Sequence, residues 1–328
     1  MRPEQIAFAQ AGQNRGGQND IPRASTPGRS ADNGEIELLH VQGNVSMLAG
    51  AGGNITVQTG NDGILLVDTG SATMSEKVME ALRRLSTGQV TYIVNTNDRS
   101  DHIGGNERFA TIGQPLAIGR AAQASAMIIA FNTILDRMST PTGQSAAVPE
   151  KAWPNDTYSG PLKTLYFNGE GIEIHHQPGT TDGNSIVLFR HSDVISTGDI
   201  FDITEYPIID LKSGGSLQAV IDGLNRLKVM AIPADHQEGG TMIIPGHGRI
   251  CDGADLALYQ QMVTIVRDRL QDMIKRGMTL EQIKAARPTQ DYDPIYGKNE
   301  GNWTTDMFIE AAYQSLTSKP DADASGTH

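Results

Sequence analysis

Several short apolar runs in this chain stop abruptly on residues that carry charge or bind cations. Ile64–Val67 runs into Asp68-Thr69-Gly70, and Val90–Val94 runs into the polar stretch Asn95–His102, followed by Ile103-Gly104-Gly105. Val194–Ser196 leads to Gly198-Asp199, and Met242–Ile244 leads to Pro245-Gly246-His247-Gly248. Apolar runs of this length, bounded by Gly, Pro and Asp, read as buried strands. A strand that ends on a titratable residue delivers it to the rim of a sheet, where neighbouring glycines let the backbone turn sharply and leave room for a ligand. The chain is therefore expected to fold so that several strand ends meet.

The remaining periodicity says how. Ile36–Val41, Val45–Leu48 and Ile55–Thr59 are separated by glycines, and Asn61-Asp62-Gly63 sets up Ile64–Val67, which predicts an antiparallel meander. Ser75–Leu85 places Val78, Leu82 and Leu85 on one helical face. The second half repeats the plan with strand-like runs at Thr164–Phe167, Ile172–His176 and Ser185–Phe189, ahead of those at Val194–Ser196 and Met242–Ile244. Tyr259, Val263, Val266, Leu270 and Met273 keep a helical spacing, and Thr304–Leu316 is also helix-like. Strands and helices in each half predict an α/β fold with two mixed sheets packed face to face and helices outside. Residues 120–160 read as a helix-like stretch followed by a Pro- and Gly-containing loop, a candidate lid or substrate wall.

Gln10–Asn33 holds too few apolar residues to offset the entropy of ordering it. Residues 1–34 thus read as a disordered leader, 35–318 as the folded domain and 319–328 as a frayed tail. Met1-Arg2 and Ile6-Ala7-Phe8-Ala9 have the character of a signal-peptide remnant, although their apolar stretch is shorter than the usual run of about 7–15 residues. A periplasmic or secreted protein is expected if the true start carries such a signal, and a cytoplasmic one otherwise. A formal net charge of −12 repels polyanions, so neither nucleic acid nor an anionic membrane surface is expected as a partner. The single cysteine, Cys251, rules out a thiolate cluster and reads as a small packed hydrophobe. Nothing in the sequence speaks to oligomeric state.

Asp101, His102, Asp199 and His247 together offer two carboxylates and two imidazoles, a donor set that suits Zn²⁺ and also Mn²⁺ or Fe²⁺. The other histidines carry less. His175 and His176 read as residues flanking a sheet, His40, His191 and His236 have no motif around them, and Asp98 and Asp182 read as turn-formers.

The order and spacing of these segments resemble the metallo-β-lactamase superfamily, whose members carry H-x-H-x-D-H, then a Gly-His-Thr loop, then an aspartate, then Gly-His. The resemblance runs from about Ile36 to about Leu316. Asn95–Glu107 aligns without gaps on the first motif, but Asn97 and Arg99 occupy its first two histidine positions, and Thr180, within Pro178–Gly183, stands at the third. The resemblance implies an αββα sandwich, a second metal position kept by Asp101, His102 and His247, a bridging carboxylate in Asp199, and a loop-bracing role for Asp68. All three ligands of the first metal position are absent. Guanidinium offers donors only, so Arg99 cannot ligate a metal and a dinuclear site is not expected.

With one divalent metal, Asp101, Asp199 and Arg99 bring the cluster to about +1, which a hydroxide would neutralise. The expected protein is a metal-dependent hydrolase with a single divalent metal, zinc first and manganese or iron next, acting on a small-molecule ester, thioester, lactam or lactone. Asp101 or Asp199 would orient the attacking water, and Arg99 would stabilise an oxyanion or hold an anionic substrate group. The alternative is an inactive member with a binding role and no cofactor, in which Arg99 fills the lost first metal position by pairing with both carboxylates. Redox chemistry at a single iron or manganese ranks last, because no electron-transfer module is visible.

Overall fold

A computed structural model describes residues 34–112, 125–141, 148–234, 236 and 239–318. The expected leader 1–34, except for Gly34, and the expected tail 319–328 lie outside these residues. No helix among the described residues is long and apolar enough to cross a membrane.

The meander forms as the glycine spacing predicts: β1 (Glu37–Gln42), β2 (Val45–Ala51), β3 (Gly53–Gly60) and β4 (Gly63–Val67) pair antiparallel in sequence order. After α1 (Ser75–Leu85), β5 (Val90–Val94) pairs parallel with β4, and the chain continues into α2 (Ser100–Ile103) and α3 (Asn106–Ile112). β6 (Met127–Phe131), α4 (Asn132–Ser139) and β7 (Asp156–Tyr158) follow, with β6 parallel to both β5 and β7. Among the described residues this makes a seven-stranded mixed sheet in the order β1-β2-β3-β4-β5-β6-β7. Within residues 120–160 the expected helix is α4, and the strands β6 and β7 on either side of it were not expected; residues 120–124 and 142–147, which include most of the loop read as a lid or substrate wall, lie outside the described residues.

β8 (Leu162–Phe167), β9 (Glu170–His176), β10 (Ser185–Phe189) and β11 (Val194–Ser196) are antiparallel neighbours. α5 (Leu217–Met230) then crosses to β12 (Met242–Ile244), which pairs parallel with β11 and completes a five-stranded sheet. α6 (Gly253–Lys275), α7 (Leu280–Ala286), α8 (Asp293–Tyr296) and α9 (Thr305–Thr317) end the described chain.

Side-chain alternation along the strands separates the layers. Leu65 and Val67 of β4, Val94 of β5 and Ile129 of β6 meet Ile174, Val187 and Ile244 of the second sheet in one buried cluster. Their neighbours Ile64, Leu66, Ile93 and Ile128 point the other way, onto Val78 and Leu82 of α1 and Phe109 of α3. On the far side, Ile186, Ile195 and Ile243 pack on Leu224 of α5, Val263 of α6 and Phe308 of α9. The result is the expected αββα sandwich, with no water-accessible side chain between its sheets at Val67, Val187 or Phe189, all 0% exposed.

Phe189 lies fully inside the cluster between the sheets. Phe189→Ala is expected to lower unfolding stability by about 3–5 kcal/mol, measured by urea denaturation. A loss below about 1 kcal/mol would mean that the two sheets do not share this core.

Candidate metal centre

The strand ends named in the sequence gather at one rim of the sandwich. β4 delivers Asp68, β5 the loop Asn95–Arg99 and α2, β11 delivers Asp199 and β12 His247. Asp68 adopts a left-handed backbone conformation (φ 62°), and its backbone NH donates to the carbonyl of Val94 at 2.8 Å. Its carboxylate then accepts from Thr96 N at 2.8 Å, from Thr96 Oγ1 at 2.6 Å and from His102 Nδ1 at 2.7 Å. Thr69 adds a hydroxyl bond to the carbonyl of His102 at 3.0 Å. The two strand ends are thereby tied together, and the imidazole of His102 is fixed with Nε2 pointing away from Asp68. A carboxylate behind an imidazole in this way sets the tautomer and raises its basicity as a ligand.

In front of it stand the remaining candidates. Ligand atoms of Asp101, His102 and His247 lie within 4.8 Å of one another. Asp199 Oδ1 is 2.9 Å from His102 Nε2 and 3.6 Å from His247 Nε2, and Asp101 Oδ2 is 3.3 Å from His247 Nε2. Room for Asp199 depends on Gly246, where a Cβ would come within 2.4 Å of Asp199 Oδ1. His102 Nε2 and Asp199 Oδ1 are both buried and, despite their closeness, lack the alignment of a hydrogen bond. Buried polar atoms whose ion pair lacks hydrogen-bond alignment are incompletely satisfied. Two that stand side by side unaligned are what a pair of ligands addressing a shared cation looks like, so the residues present fit a metal.

Electrostatics agree with the donor chemistry. Burial would raise the Asp199 carboxyl, but His102, His247 and Arg99 outweigh it and hold it down to about 2. Burial works against Asp101 in the same direction, and the hydrogen bond from His247, with His102 and Arg99, holds it well below the usual carboxylate range. Burial would lower His247, yet Asp101, Asp202 and Asp199 lift it to about 9. His102 is likewise raised, its burial overcome by Asp199 and Asp68. A cation entering this cluster would have to displace imidazole protons, so its uptake would release protons and weaken as pH falls below about 9.

Asn97, Arg99 and Thr180, which the sequence aligns on the family's histidine positions, all make polar contacts. Asn97 is fully buried, accepts from the backbone NH of Arg99 at 2.9 Å and donates to Asp199 Oδ2 at 3.2 Å. Arg99 brings Nε to 3.1 Å from Asp199 Oδ2 and 3.5 Å from Asp101 Oδ1. Thr180 turns its hydroxyl to Asn184 Oδ1 at 3.1 Å, within its own loop. His175 and His176 stay out of the site: His175 lies between Glu173 and Arg226, and His176 stacks on Phe131 and bonds the carbonyl of Asp182. Cys251 is buried, with its thiol pushed up by burial and donating to the carbonyl of Arg249 at 3.3 Å.

One feature of the site was not expected. Asp98 and Asp182, read as turn-formers, are both partners of Arg137 on α4, with Arg137 Nε at 2.7 Å and Nη2 at 3.1 Å from Asp98, and Nη1 on Asp182. Thr133 adds a bond to Asp182 at 2.9 Å. This clamp joins the Asn97–Arg99 loop to the Thr180–Gly183 loop. The sequence signal for it is an acidic residue in each of the two loops, Asp98 and Asp182, which calls for a cation from elsewhere. Arg137→Met keeps the stem and removes the clamp, leaving Asp98 (18% exposed) half-buried without a partner. Unfolding stability is expected to fall by about 1–3 kcal/mol, with part of the loss recovered by adding Asp98→Asn. No loss in thermal denaturation would reduce the clamp to a surface ion pair.

The comparisons with known proteins converge on one fold. The family model described as metallo-beta-lactamase superfamily matches residues 49–249. No curated protein matches. Among solved structures, the stereoselective inverting sec-alkylsulfatase Pisa1 from Pseudomonas sp. superposes with a TM-score of 0.59 at 15% identity, over 88% of this chain and 51% of that one. The chain therefore spans about half the length of that enzyme. A metallo-beta-lactamase from Pontibacter korlensis gives 0.54 at 14% identity, over 70% of this chain and 99% of its own. The DIM-1 metallo-beta-lactamase gives 0.52 at 18% identity, over 70% and 97%. The matched segment contains Asp68, Asp101, His102, Asp199 and His247 together with both sheets from β3 to β12, and the chain belongs to the metallo-β-lactamase superfamily.

Proposed function

We propose that this chain is a hydrolase that holds a single divalent metal, zinc first and manganese or iron next, on Asp101, His102, His247 and Asp199. The observation that carries the reading is the pair of buried, unaligned atoms His102 Nε2 and Asp199 Oδ1, with Asp68 bracing the far side of the imidazole. When bound, the metal supplies Lewis acidity toward the bond to be broken and acidifies water. Asp101 is the more accessible carboxylate, at 22% against 5% for Asp199, and it orients the attacking water from its exposed side. Arg99 places a fixed positive charge beside both carboxylates and stabilises the developing oxyanion. Small-molecule esters, thioesters, lactams and lactones all suit this chemistry. The fold likeness to a sec-alkylsulfatase adds alkyl sulfate esters to the set to be tried.

A second reading is favoured by a specific distance. Arg99 Nε approaches Asp199 and Asp101 at 3.1 and 3.5 Å, and such contacts let a guanidinium serve as the cation of an inactive, ligand-binding member of the family. Metal content decides between them. Protein purified without chelator is expected to carry about one equivalent of metal by elemental mass spectrometry, and His247→Ala is expected to lose it. Absence of metal after incubation with zinc, manganese and iron in turn would contradict the hydrolase and leave the inactive reading.

A further inference from the structure

Arg99 faces two openings as well as the carboxylates. One is a cleft of about 400 Å³ lined by Arg99, Glu205, Ile208, Lys298, Glu300 and Trp303. The other, about 160 Å³, lies between Arg99, Ile208 and the Thr180-Thr181 loop, with Asp98 and Asp210 at its edge. Three of the four acids named around these openings are engaged, and the fourth, Glu300, is exposed on the side of the cleft formed by the Lys298–Trp303 loop. Asp98 belongs to Arg137, and Asp210 accepts from the backbone of Lys212 and Ser213 and from the hydroxyl of Ser213. Glu205 is ion-paired to Lys298. Arg99, by contrast, makes its closest approach to Asp101 and Asp199 through Nε, is 34% exposed, and has no side-chain hydrogen bond through its terminal nitrogens among the described residues. A guanidinium so placed offers a two-pronged donor to an oxyanion.

Glu205 is the nearest competitor for that place. Burial alone would lower the Arg99 guanidinium, and Asp199, Asp101 and Glu205 together outweigh it, yet Glu205 pairs with Lys298 and makes no ion pair with Arg99. Lys298 is held for this task by the C-terminal segment. Its backbone NH donates to Thr305 Oγ1 at 3.1 Å and its carbonyl accepts from Thr305 N at 2.9 Å. Trp303 in the same loop donates from Nε1 to the carbonyl of Tyr206 at 3.2 Å, so the loop grips the Glu205–Tyr206 turn at two points. This wall lies beyond the segment that matches the family, residues 49–249.

We propose that the cleft receives a substrate with an anionic oxygen-bearing head, a carboxylate or a sulfate ester on an apolar body. The head pairs with the outward nitrogens of Arg99, the body lies along Ile208 and Trp303, and Lys298 is a positioning residue that holds Glu205 away from Arg99. The inference deepens the hydrolase reading by naming the substrate class, and the anion site itself needs no bound metal.

The test is isothermal titration of the full chain with hexanoate, hexyl sulfate and neutral hexanol. One of the two anions is expected to bind at least about tenfold more tightly than hexanol, and which one does so names the head group. Lys298→Met is expected to weaken that anion by about tenfold, and Lys298→Met with Glu205→Gln to restore it to within about threefold. Arg99→Gln is expected to abolish the preference over hexanol, with circular dichroism confirming that each variant folds. Equal affinity for hexanol and both anions would overturn the anion site. Equal weakening in the single and double variants would overturn the positioning role, because Lys298 would then bind the anion itself. Metal content is measured on the same samples: anion binding without any metal would leave this site standing and remove the hydrolase.

Discussion

The carboxylate of Asp199 is the point on which the site is built. It is 5% exposed and stands against His102, His247, Arg99 and Asn97, so two imidazoles, a guanidinium and an amide converge on one buried negative charge. A lone buried carboxylate would be neutral or would unfold the protein, and it stays ionised because so much positive charge faces it. Backbone geometry makes the convergence possible. Gly198 takes a left-handed conformation (φ 51°) where a Cβ would meet Thr96 Oγ1 at 2.4 Å, and Gly246 leaves space for Asp199 Oδ1. Asp199 and His247 come from parallel neighbours β11 and β12, whose paired register from Ile195–Ile243 to Ser196–Ile244 brings both loops out at the same rim.

Two scaffolds hold the partners of Asp199 in place. On one side Asp68 fixes His102 and, through Thr96, the start of the loop that carries Asn97 and Arg99. On the other, Arg137 joins that loop to the Thr180–Gly183 loop. Both act on the loops that carry Asn97, Arg99 and Thr180, and both use charge-assisted bonds. Asn97 and Arg99 both contact Asp199, with Arg99 supplying a permanent positive charge that no change of pH in the physiological range removes.

Much of this was legible in the sequence wherever a strand carried its own punctuation. β2 to β5 and β8 to β12 are short apolar runs bounded by glycine, asparagine, aspartate or proline, and the residues just past the ends of β4, β5, β11 and β12 are the ones that meet at the site. β6 was not legible, because Met127–Phe131 runs straight into α4 at Asn132 with no Gly or Pro between, and a continuous apolar run does not distinguish strand from helix. β7 is only 3 residues long, too short for any period to show. α5 goes unpredicted although Val220, Ile221, Leu224 and Leu227 keep a helical spacing behind the N-cap Ser216. Within the site, side-chain identities were readable and side-chain directions were not. Arg137 meets Asp98 and Asp182 from 39 and 45 positions away, and Lys298 meets Glu205 from 93, separations at which no local pattern operates.

The proposed function stands or falls on one cation, and no second, among Asp101, His102, His247 and Asp199 with Arg99 beside it. The most direct test is a crystal structure of zinc-loaded protein with anomalous data on both sides of the zinc absorption edge. The account expects one anomalous peak at about 2.0–2.2 Å from His102 Nε2 and His247 and from carboxylate oxygens of Asp101 and Asp199. A second peak near Asn97 and Thr180, or no peak at all with Arg99 bridging the two carboxylates, would contradict it.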